Sequence, residues 1–136
     1  MLSSAGVFVV AYCTGKFIIN ISLAKGKSME PAIQENDIVI SIPYYKPLIT
    51  IKHSNIIIAK CPLDTSKLIC KRVLYLEDDV APHGKVPKNN IWIEGDNKLK
   101  SYDSRSYGPV PHSLIKSIVV GKIRCNTLGK LINAFK

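Results

Sequence analysis

Residues 68–76, LICKRVLYL, decide the fold class of this 136-residue chain. Apolar residues surround a central Lys71-Arg72 pair, which is the pattern of a strand in a folded core. Because successive strand side chains point to opposite faces, one of these two cations can face inward while the other stays in solvent. Taken alone, the pattern favours a solvent-facing lysine, since buried lysines are rare.

Five further runs share this short, β-branched character, and Pro, Gly, Asn and Asp clusters separate them. They are FIINISLA (17–24), DIVISI (37–42), ITIKHSNIIIAK (49–60), NIWIEG (90–95) and IKSIVVGKI (115–123). No segment between them has a long apolar stripe at helical spacing, and short connections make antiparallel pairing the default. We therefore predict a mainly β fold with one β-rich domain at residues 17–125.

The two ends of the chain have a different character. Residues 1–16 are apolar up to Lys16, and a helix over Leu2–Gly15 would rise about 21 Å, short of the roughly 30 Å hydrocarbon layer. We interpret residues 1–16 as a short hydrophobic membrane-anchor segment, with Lys16 reaching the interface. A cleaved secretory signal ending near Ala24 is the alternative, but no basic residues precede the apolar run.

Residues 126–136 are expected to form a C-terminal tail. A short amphipathic helix would place four apolar residues on one side, and a frayed terminus is the alternative. These four residues are Leu128, Leu131, Ile132 and Phe135.

The chain is basic, with 19 Lys and Arg against 10 Asp and Glu and a formal charge of +9. Such a charge favours an anionic partner, either a membrane surface or a nucleic acid. Single-stranded nucleic acid binding needs aromatics interleaved with cations on one face. Only Tyr44-Tyr45 near Lys46 and Tyr102 and Tyr107 around Arg105 approach this pattern, so no nucleic acid is expected, although a basic β-module remains an alternative of another class.

The cysteines predict no metal site, since they form no CxxC pair and have no histidines at zinc spacing. Cys61 and Cys70 flank a probable turn and could form a disulfide in an oxidising compartment. We favour buried free thiols.

A candidate nucleophile is Ser28 in GKSMEPA, residues 26–32. A serine needs a base, and no acidic residue near the three histidines, His53, His83 and His112, suggests an orienting partner, so we interpret them as surface residues. A lysine can also act as the base for a serine if burial removes its proton. Lowering the lysine pKa to near 7 costs about 4 to 5 kcal/mol. Lys71 is the candidate.

Residues 92–111, WIEGDNKLKSYDSRSYGPVP, hold a third group of polar residues. Asp103 and Arg105 lie two positions apart, hence on one face if the backbone is extended, and can form a charge-assisted pair. Ser101 shares that face and can offer its hydroxyl to a nearby amine.

Four motifs in this order resemble the type I signal peptidases, peptidase S26: SMEP (28–31), ICKRV (69–73), EGDN (94–97) and SYDSRSYGPVP (101–111). Within the family the likeness is closest to the mitochondrial inner membrane peptidase, in particular to its subunit 1. The resemblance implies an antiparallel β fold with coiled β-sheets, a Ser/Lys dyad and no cofactor or metal.

By position, the resemblance makes Ser28 the nucleophile and Lys71 its general base. It implies site support from Ser101, Asp103, Arg105, Gly95 and Asp96, and a substrate pocket lined by Met29, Ile33, Ile69 and Cys70. The main-chain N–H of the nucleophile would contribute to the oxyanion hole. Some members add a hydroxyl two residues earlier, where this chain has Gly26.

The chain departs from the family after the Lys-Arg-Val, where a Gly-Leu-x-Gly-Asp turn is usual. Tyr75 and Asp78 replace the two glycines. If either position needs a positive φ, Tyr75 would be costly and Asp78 tolerable, so we expect a rebuilt strand exit.

The resemblance implies a membrane-bound serine endopeptidase that removes N-terminal leader peptides from preproteins delivered to the mitochondrial intermembrane space. Its implied setting is the inner membrane, and its implied partners are leader peptides, anionic lipid and a related second subunit. A bacterial-type signal peptidase I is the alternative within the class. A self-cleaving repressor would need a helix-turn-helix segment, which the sequence does not suggest.

Overall fold

A computed structural model describes residues 10–14, 17–124, 130 and 132–134 of the chain. In these ranges ten strands form, separated by turns, by two 3-10 helices (Lys98–Lys100 and His112–Leu114) and by one short α-helix, α1 (Ser104–Tyr107). The strands are β1 (Val10–Thr14), β2 (Phe17–Leu23), β3 (Ile38–Pro43), β4 (Ile56–Cys61), β5 (Asp64–Tyr75), β6 (Val80–Ala81), β7 (Gly84–Lys85), β8 (Asn90–Glu94), β9 (Val110–Pro111) and β10 (Ile115–Ile123).

Eight of these strands form one sheet in the order β1-β2-β3-β10-β4-β5-β8-β9, and β6 pairs with β7 in a separate hairpin. Every pairing in the sheet is antiparallel. The LICKRVLYL run lies in β5, between β4 and β8, where both edges are hydrogen-bonded. The predicted mainly β, antiparallel fold is confirmed.

One predicted strand, residues 49–60, was wrong in its first half, since β4 begins only at Ile56. Ser54 has a φ of 70°, and the Asn55 side chain accepts a hydrogen bond from the Lys52 N–H at 2.8 Å. These polar residues close a turn, which outweighs the β propensity of the isoleucines before it.

At the N-terminus, residues 10–14 form a strand rather than the predicted helix. This strand, β1, pairs with β2 in a register that joins Tyr12 to Ile19. Its VAYCT sequence is rich in β-branched and aromatic residues, which fit a strand better than a helix. The remainder of the predicted anchor lies outside the described residues. In the described ranges no helix has both the length and the apolar character needed to cross a bilayer.

At the C-terminus, residues 130 and 132–134 are helical, and Ile132 is exposed. The other three apolar residues of the predicted amphipathic side lie outside the described residues.

The side chains of β4 and β5 pack into two apolar clusters on opposite faces of the sheet. Ile57 and Ile69 belong to the larger cluster, whereas Ile58 and Cys70 belong to a smaller one that also holds Met29. Neighbouring residues thus alternate between the clusters, as strand geometry requires. The isoleucine-rich sequence of β4 is therefore explained by burial on both faces.

The exit of β5 is rebuilt as expected. Tyr75 ends the strand in extended backbone, and Asp78 takes a positive φ of 69°. The Asp79 carboxylate accepts a hydrogen bond from the Leu76 N–H at 2.7 Å and closes the turn. An aspartate at the left-handed position and a second aspartate as a cap replace the missing glycines.

Candidate active site

The turn that follows β8, residues 95–97, is anchored to β5 by a two-pronged ion pair. The Arg72 guanidinium donates to both carboxylate oxygens of Asp96, each at 2.8 Å, and to the Ser54 carbonyl at 2.9 Å. The hydrogen bond to Asp96 raises the pKa of Arg72. The pair fixes this turn to β5 at the residue that follows the candidate base.

The same turn holds the candidate nucleophile. The Asn97 N–H donates to the Ser28 carbonyl at 2.9 Å, and the Asn97 side-chain amide donates to the Lys27 carbonyl at 3.1 Å. Ser28 is only 6% exposed. Ser28 and Arg72, the residue that follows Lys71, are thus both bonded to one three-residue turn.

Lys71 is buried on the face of the larger apolar cluster. The residue is 2% exposed, and its cross-strand partner is Ile57. Burial lowers the pKa of the Lys71 amine below its ordinary value of 10.5 and outweighs the opposing attraction of the Asp103 carboxylate. Among the described residues no carboxylate forms an ion pair with this amine. Burial therefore shifts the Lys71 amine towards its neutral form, the form that accepts a proton.

No hydrogen bond joins the Ser28 hydroxyl to the Lys71 amine among the described side chains. Hydrogen bonds between nucleophile and base are often long in ligand-free sites and shorten when substrate binds. The Ser28 backbone and the neighbour of Lys71 bind one turn, and the dyad itself stays a prediction.

Ser101, Asp103 and Arg105 form one hydrogen-bonded group around the Gly95 N–H. The Asp103 carboxylate is fully buried and accepts from Ser101 Oγ at 2.6 Å, from the Gly95 N–H at 2.9 Å and from Arg105 Nε at 2.9 Å. Burial raises the pKa of Asp103, but the hydrogen bonds from Arg105, Ser101 and Gly95 outweigh it and lower the pKa to about 2. The Asp103 carboxylate is therefore ionised at neutral pH, and its charge acts on the nearby Lys71 amine.

The predicted pair of Asp103 and Arg105 is present, and it forms at the start of α1 instead of along an extended segment. Asp103 is the N-cap of α1, and its side chain accepts from the Arg105 N–H at 3.1 Å. A capping aspartate satisfies a free N–H in the first helical turn, and this brings the two side chains together.

The four predicted pocket residues do not share one surface. Met29, Ile33 and Cys70 pack in the smaller cluster, whereas Ile69 packs in the larger cluster on the other face of β5. Burial raises the pKa of the Cys70 thiol to about 12. Cys61 and Cys70 are free and buried, which confirms the expectation of free thiols.

The histidines differ from the prediction in their surroundings. His53 has an acidic partner that the sequence did not suggest, Asp79, at 2.6 Å in an exposed position. His112 is half-buried rather than a surface residue, and burial lowers its pKa. Among the described hydrogen bonds none links a histidine to Ser28. Within the described residues no three His, Cys, Asp or Glu side chains are grouped to hold a metal ion.

Sequence reasoning missed Asn97, whose backbone and side chain both bind the Ser28 segment. Its position directly after Gly95-Asp96, in a turn between a strand and a polar stretch, was the available signal. The role of Arg72 was missed as well, although alternation along β5 required it to face away from Lys71.

Comparison with known proteins agrees with this geometry. The family model described as signal peptidase, peptidase S26, matches residues 76–126. The mitochondrial inner membrane protease subunit 1 of Homo sapiens is 39% identical over 124 residues, which covers 84% of this chain and 75% of that protein. The chain belongs to the signal peptidase family, peptidase S26.

The similar proteins include both kinds of subunit of the mitochondrial inner membrane protease. Subunit 1 from Xenopus tropicalis is 39% identical, covering 79% of this chain and 70% of that protein. Subunit 2 of the mitochondrial inner membrane protease from Schizosaccharomyces pombe is 30% identical, covering 76% of this chain and 63% of that protein. The resemblance stated from the sequence motifs is confirmed.

Proposed function

We propose that this S26 peptidase is a serine endopeptidase in which Ser28 is the nucleophile and Lys71 the general base. The observation that carries the proposal is a buried lysine with a lowered pKa, next in sequence to Arg72, which is bonded to the same turn, residues 95–97, as Ser28. A lysine serves as base only as the neutral amine, and burial without an ion-pair partner shifts Lys71 in that direction.

The reaction proceeds in two steps. Lys71 takes the Ser28 hydroxyl proton as Oγ attacks the scissile carbonyl, and the resulting ammonium gives a proton to the leaving amine as the C–N bond breaks. The mature protein leaves with its new N-terminus, and the leader remains as an ester on Ser28. Lys71 then deprotonates a water molecule, whose oxygen attacks the ester and restores the serine.

Ser101, Asp103 and Arg105 support the base in this account. The buried Asp103 carboxylate opposes the effect of burial on the Lys71 pKa, which keeps the amine basic enough to accept a proton. Arg105 and Ser101 hold that carboxylate in place. The substrate would bind in extended form along strands near Ser28, with a small side chain against Met29 and Cys70.

The names of the similar proteins suggest the location and the partner that we propose for this chain. Because several are named subunits 1 and 2 of the mitochondrial inner membrane protease, we place this chain at that membrane with a related second subunit as partner. Its substrates would be preproteins whose sorting leaders are removed in the intermembrane space. The formal charge of +9 suits anionic lipid, at about 1 kcal/mol for each well-placed cation.

The nucleic-acid alternative has less support. Tyr102 and Tyr107 pack on each other with ring centroids 5.6 Å apart, and Tyr107 is largely buried. Tyr44 packs against the larger apolar cluster. Tyr45 and Tyr102 are exposed, but Tyr44 and Tyr107 pack against that cluster, so the four rings do not form one open row for base stacking.

The test incubates detergent-solubilised protein with synthetic leader peptides and follows cleavage by mass spectrometry. We expect cleavage by the wild type, none by Ser28→Ala or Lys71→Ala, and a leader ester on Ser28 after rapid acid quenching. Ser106→Ala and Lys67→Ala, which change an exposed serine of α1 and an exposed lysine of β5, are the matched controls. Cleavage that persists in both dyad variants contradicts the proposal.

A further inference from the structure

The peptide group between Lys27 and Ser28 is held on its carbonyl side and open on its N–H side. The Lys27 carbonyl accepts two hydrogen bonds, from the Asn97 side-chain amide at 3.1 Å and from the Glu30 N–H at 3.2 Å. Among the described hydrogen bonds, the Ser28 N–H donates to no protein acceptor. This N–H belongs to a residue that is only 6% exposed, and nearly all buried N–H groups in proteins are paired, so a substrate oxygen is a candidate partner for it.

Peptide planarity couples the two ends of this group. The carbonyl and the N–H of a trans peptide point in opposite directions within one plane, so a hydrogen bond that fixes the Lys27 carbonyl also fixes the direction of the Ser28 N–H. Asn97 acts on the next peptide too, because its backbone N–H binds the Ser28 carbonyl at 2.9 Å. One residue therefore holds the peptides on both sides of the nucleophile.

Acyl transfer needs a hydrogen-bond donor beside the attacking Ser28 hydroxyl. As Ser28 Oγ attacks a carbonyl, negative charge develops on the carbonyl oxygen, and the N–H of the nucleophile itself is within reach of that oxygen in serine proteases. Gly26 offers no hydroxyl to share this task. The Ser28 N–H thus carries a larger part of the stabilisation, and its orientation matters more.

We propose that Asn97 is a positioning residue that aims the Ser28 N–H at the oxyanion, through its side-chain hydrogen bond to the Lys27 carbonyl. The inference rests on the proposed function of Ser28 as nucleophile. Asn97 is itself held in place, since the neighbouring Asp96 is tied to Arg72 and the Asn97 carbonyl accepts from the Lys100 N–H at 3.0 Å.

If the Asn97 side chain only stabilised the fold, its removal would lower stability and not kcat alone. Removing the Asn97 amide leaves the Lys27 carbonyl with its bond from the Glu30 N–H, so no buried acceptor is left without a partner. Asn97→Ala is therefore expected to fold with nearly wild-type stability. Its effect should fall on the transition state, where a misdirected donor weakens charge stabilisation.

The experiment compares wild type, Asn97→Ala and the near-isosteric Asn97→Asp. Asn90→Ala is the matched control, since the Asn90 side chain also donates to a backbone carbonyl, that of Lys88, at 2.8 Å. Leader-peptide cleavage gives kcat and KM. Binding is then measured for a leader-peptide aldehyde, which forms a tetrahedral adduct with a serine, and for the corresponding peptide alcohol, which cannot.

Both Asn97 variants are expected to lose about ten- to a hundredfold in kcat with little change in KM. They should bind the aldehyde more weakly by a similar factor and the alcohol as well as the wild type does, while Asn90→Ala matches the wild type. Wild-type kcat in the variants, or equal weakening of aldehyde and alcohol, overturns the role of Asn97. A wild type that cleaves nothing, or a Ser28→Ala variant that still cleaves, overturns the proposed function instead.

Discussion

The α-carbon of Gly95 lies against the carbonyl oxygen of Ser28, so that a β-carbon on Gly95 would stand 2.6 Å from that oxygen. The same β-carbon would stand 2.2 Å from Ser101 Oγ. Only a hydrogen atom on the Gly95 α-carbon fits between the Ser28 carbonyl and the Ser101 side chain. The glycine is required here for space.

The first prediction is that Gly95→Ala inactivates the peptidase. The added methyl group must displace the Ser28 backbone or the Ser101 hydroxyl, and a displacement near 1 Å can cost about a hundredfold in rate. Peptide cleavage at saturating substrate measures the loss. Gly121→Ala is the control, because a β-carbon there meets no atom within 4 Å. Wild-type turnover in Gly95→Ala would contradict the close approach.

The second prediction concerns acid stability. The pKa of Asp103 is lowered from 3.8 to about 2 in the folded chain, so the carboxylate contributes stability above its unfolded pKa and loses it as pH falls from about 4 towards 2. The contribution is about 2 kcal/mol. Urea unfolding of wild type and Asp103→Asn should differ by at least this amount at pH 7, with a gap that narrows towards pH 2. A gap independent of pH would contradict the assignment.

The third prediction concerns the pH dependence of cleavage. Because Lys71 works as the neutral amine, kcat/KM should rise with pH through the Lys71 pKa, with a midpoint below the ordinary 10.5. The Asp103 carboxylate raises that pKa, so Asp103→Asn should move the midpoint to lower pH. Ser106→Ala is the control and should keep the wild-type midpoint. A midpoint that Asp103→Asn moves to higher pH would contradict the proposed electrostatics.

The fourth prediction concerns the rebuilt exit of β5. Asp78 has a φ of 69°, a region where a side chain costs about 1 kcal/mol and glycine costs little. Asp78→Gly should leave the free energy of unfolding nearly unchanged, whereas Asp78→Val should lower it by about 1 to 2 kcal/mol. Thermal unfolding checks both. Equal stability of the two variants would show that the turn does not depend on this conformation.

Much of the fold followed from local patterns. The β-branched runs predicted the strands because burial on alternating faces is a period-two property of neighbouring residues. The turn at Ser54 and Asn55 was missed because two polar side chains outweighed the isoleucines on either side. The strand at Val10–Thr14 was missed since a short apolar run fits a helix as well as a strand.

The candidate site also has features that the sequence predicted and features that it could not predict. Ser28, Lys71 and Asp103 were predicted as site residues from motif spacing, which records chemistry at particular positions. The two contacts of Asn97 with the Ser28 segment and the separation of Ile69 from Cys70 depend on tertiary packing. The α1 N-cap at Asp103 was misread because a four-residue helix carries almost no periodic signal.

The central claim is that Lys71 is an uncharged amine beside Ser28 at working pH. Its most direct test is an NMR titration of the Lys71 side-chain nitrogen in the folded protein, assigned by its loss in Lys71→Met. The account predicts a pKa below 10.5 that coincides with the rise of kcat/KM. A Lys71 amine that titrates like the exposed lysines would contradict it.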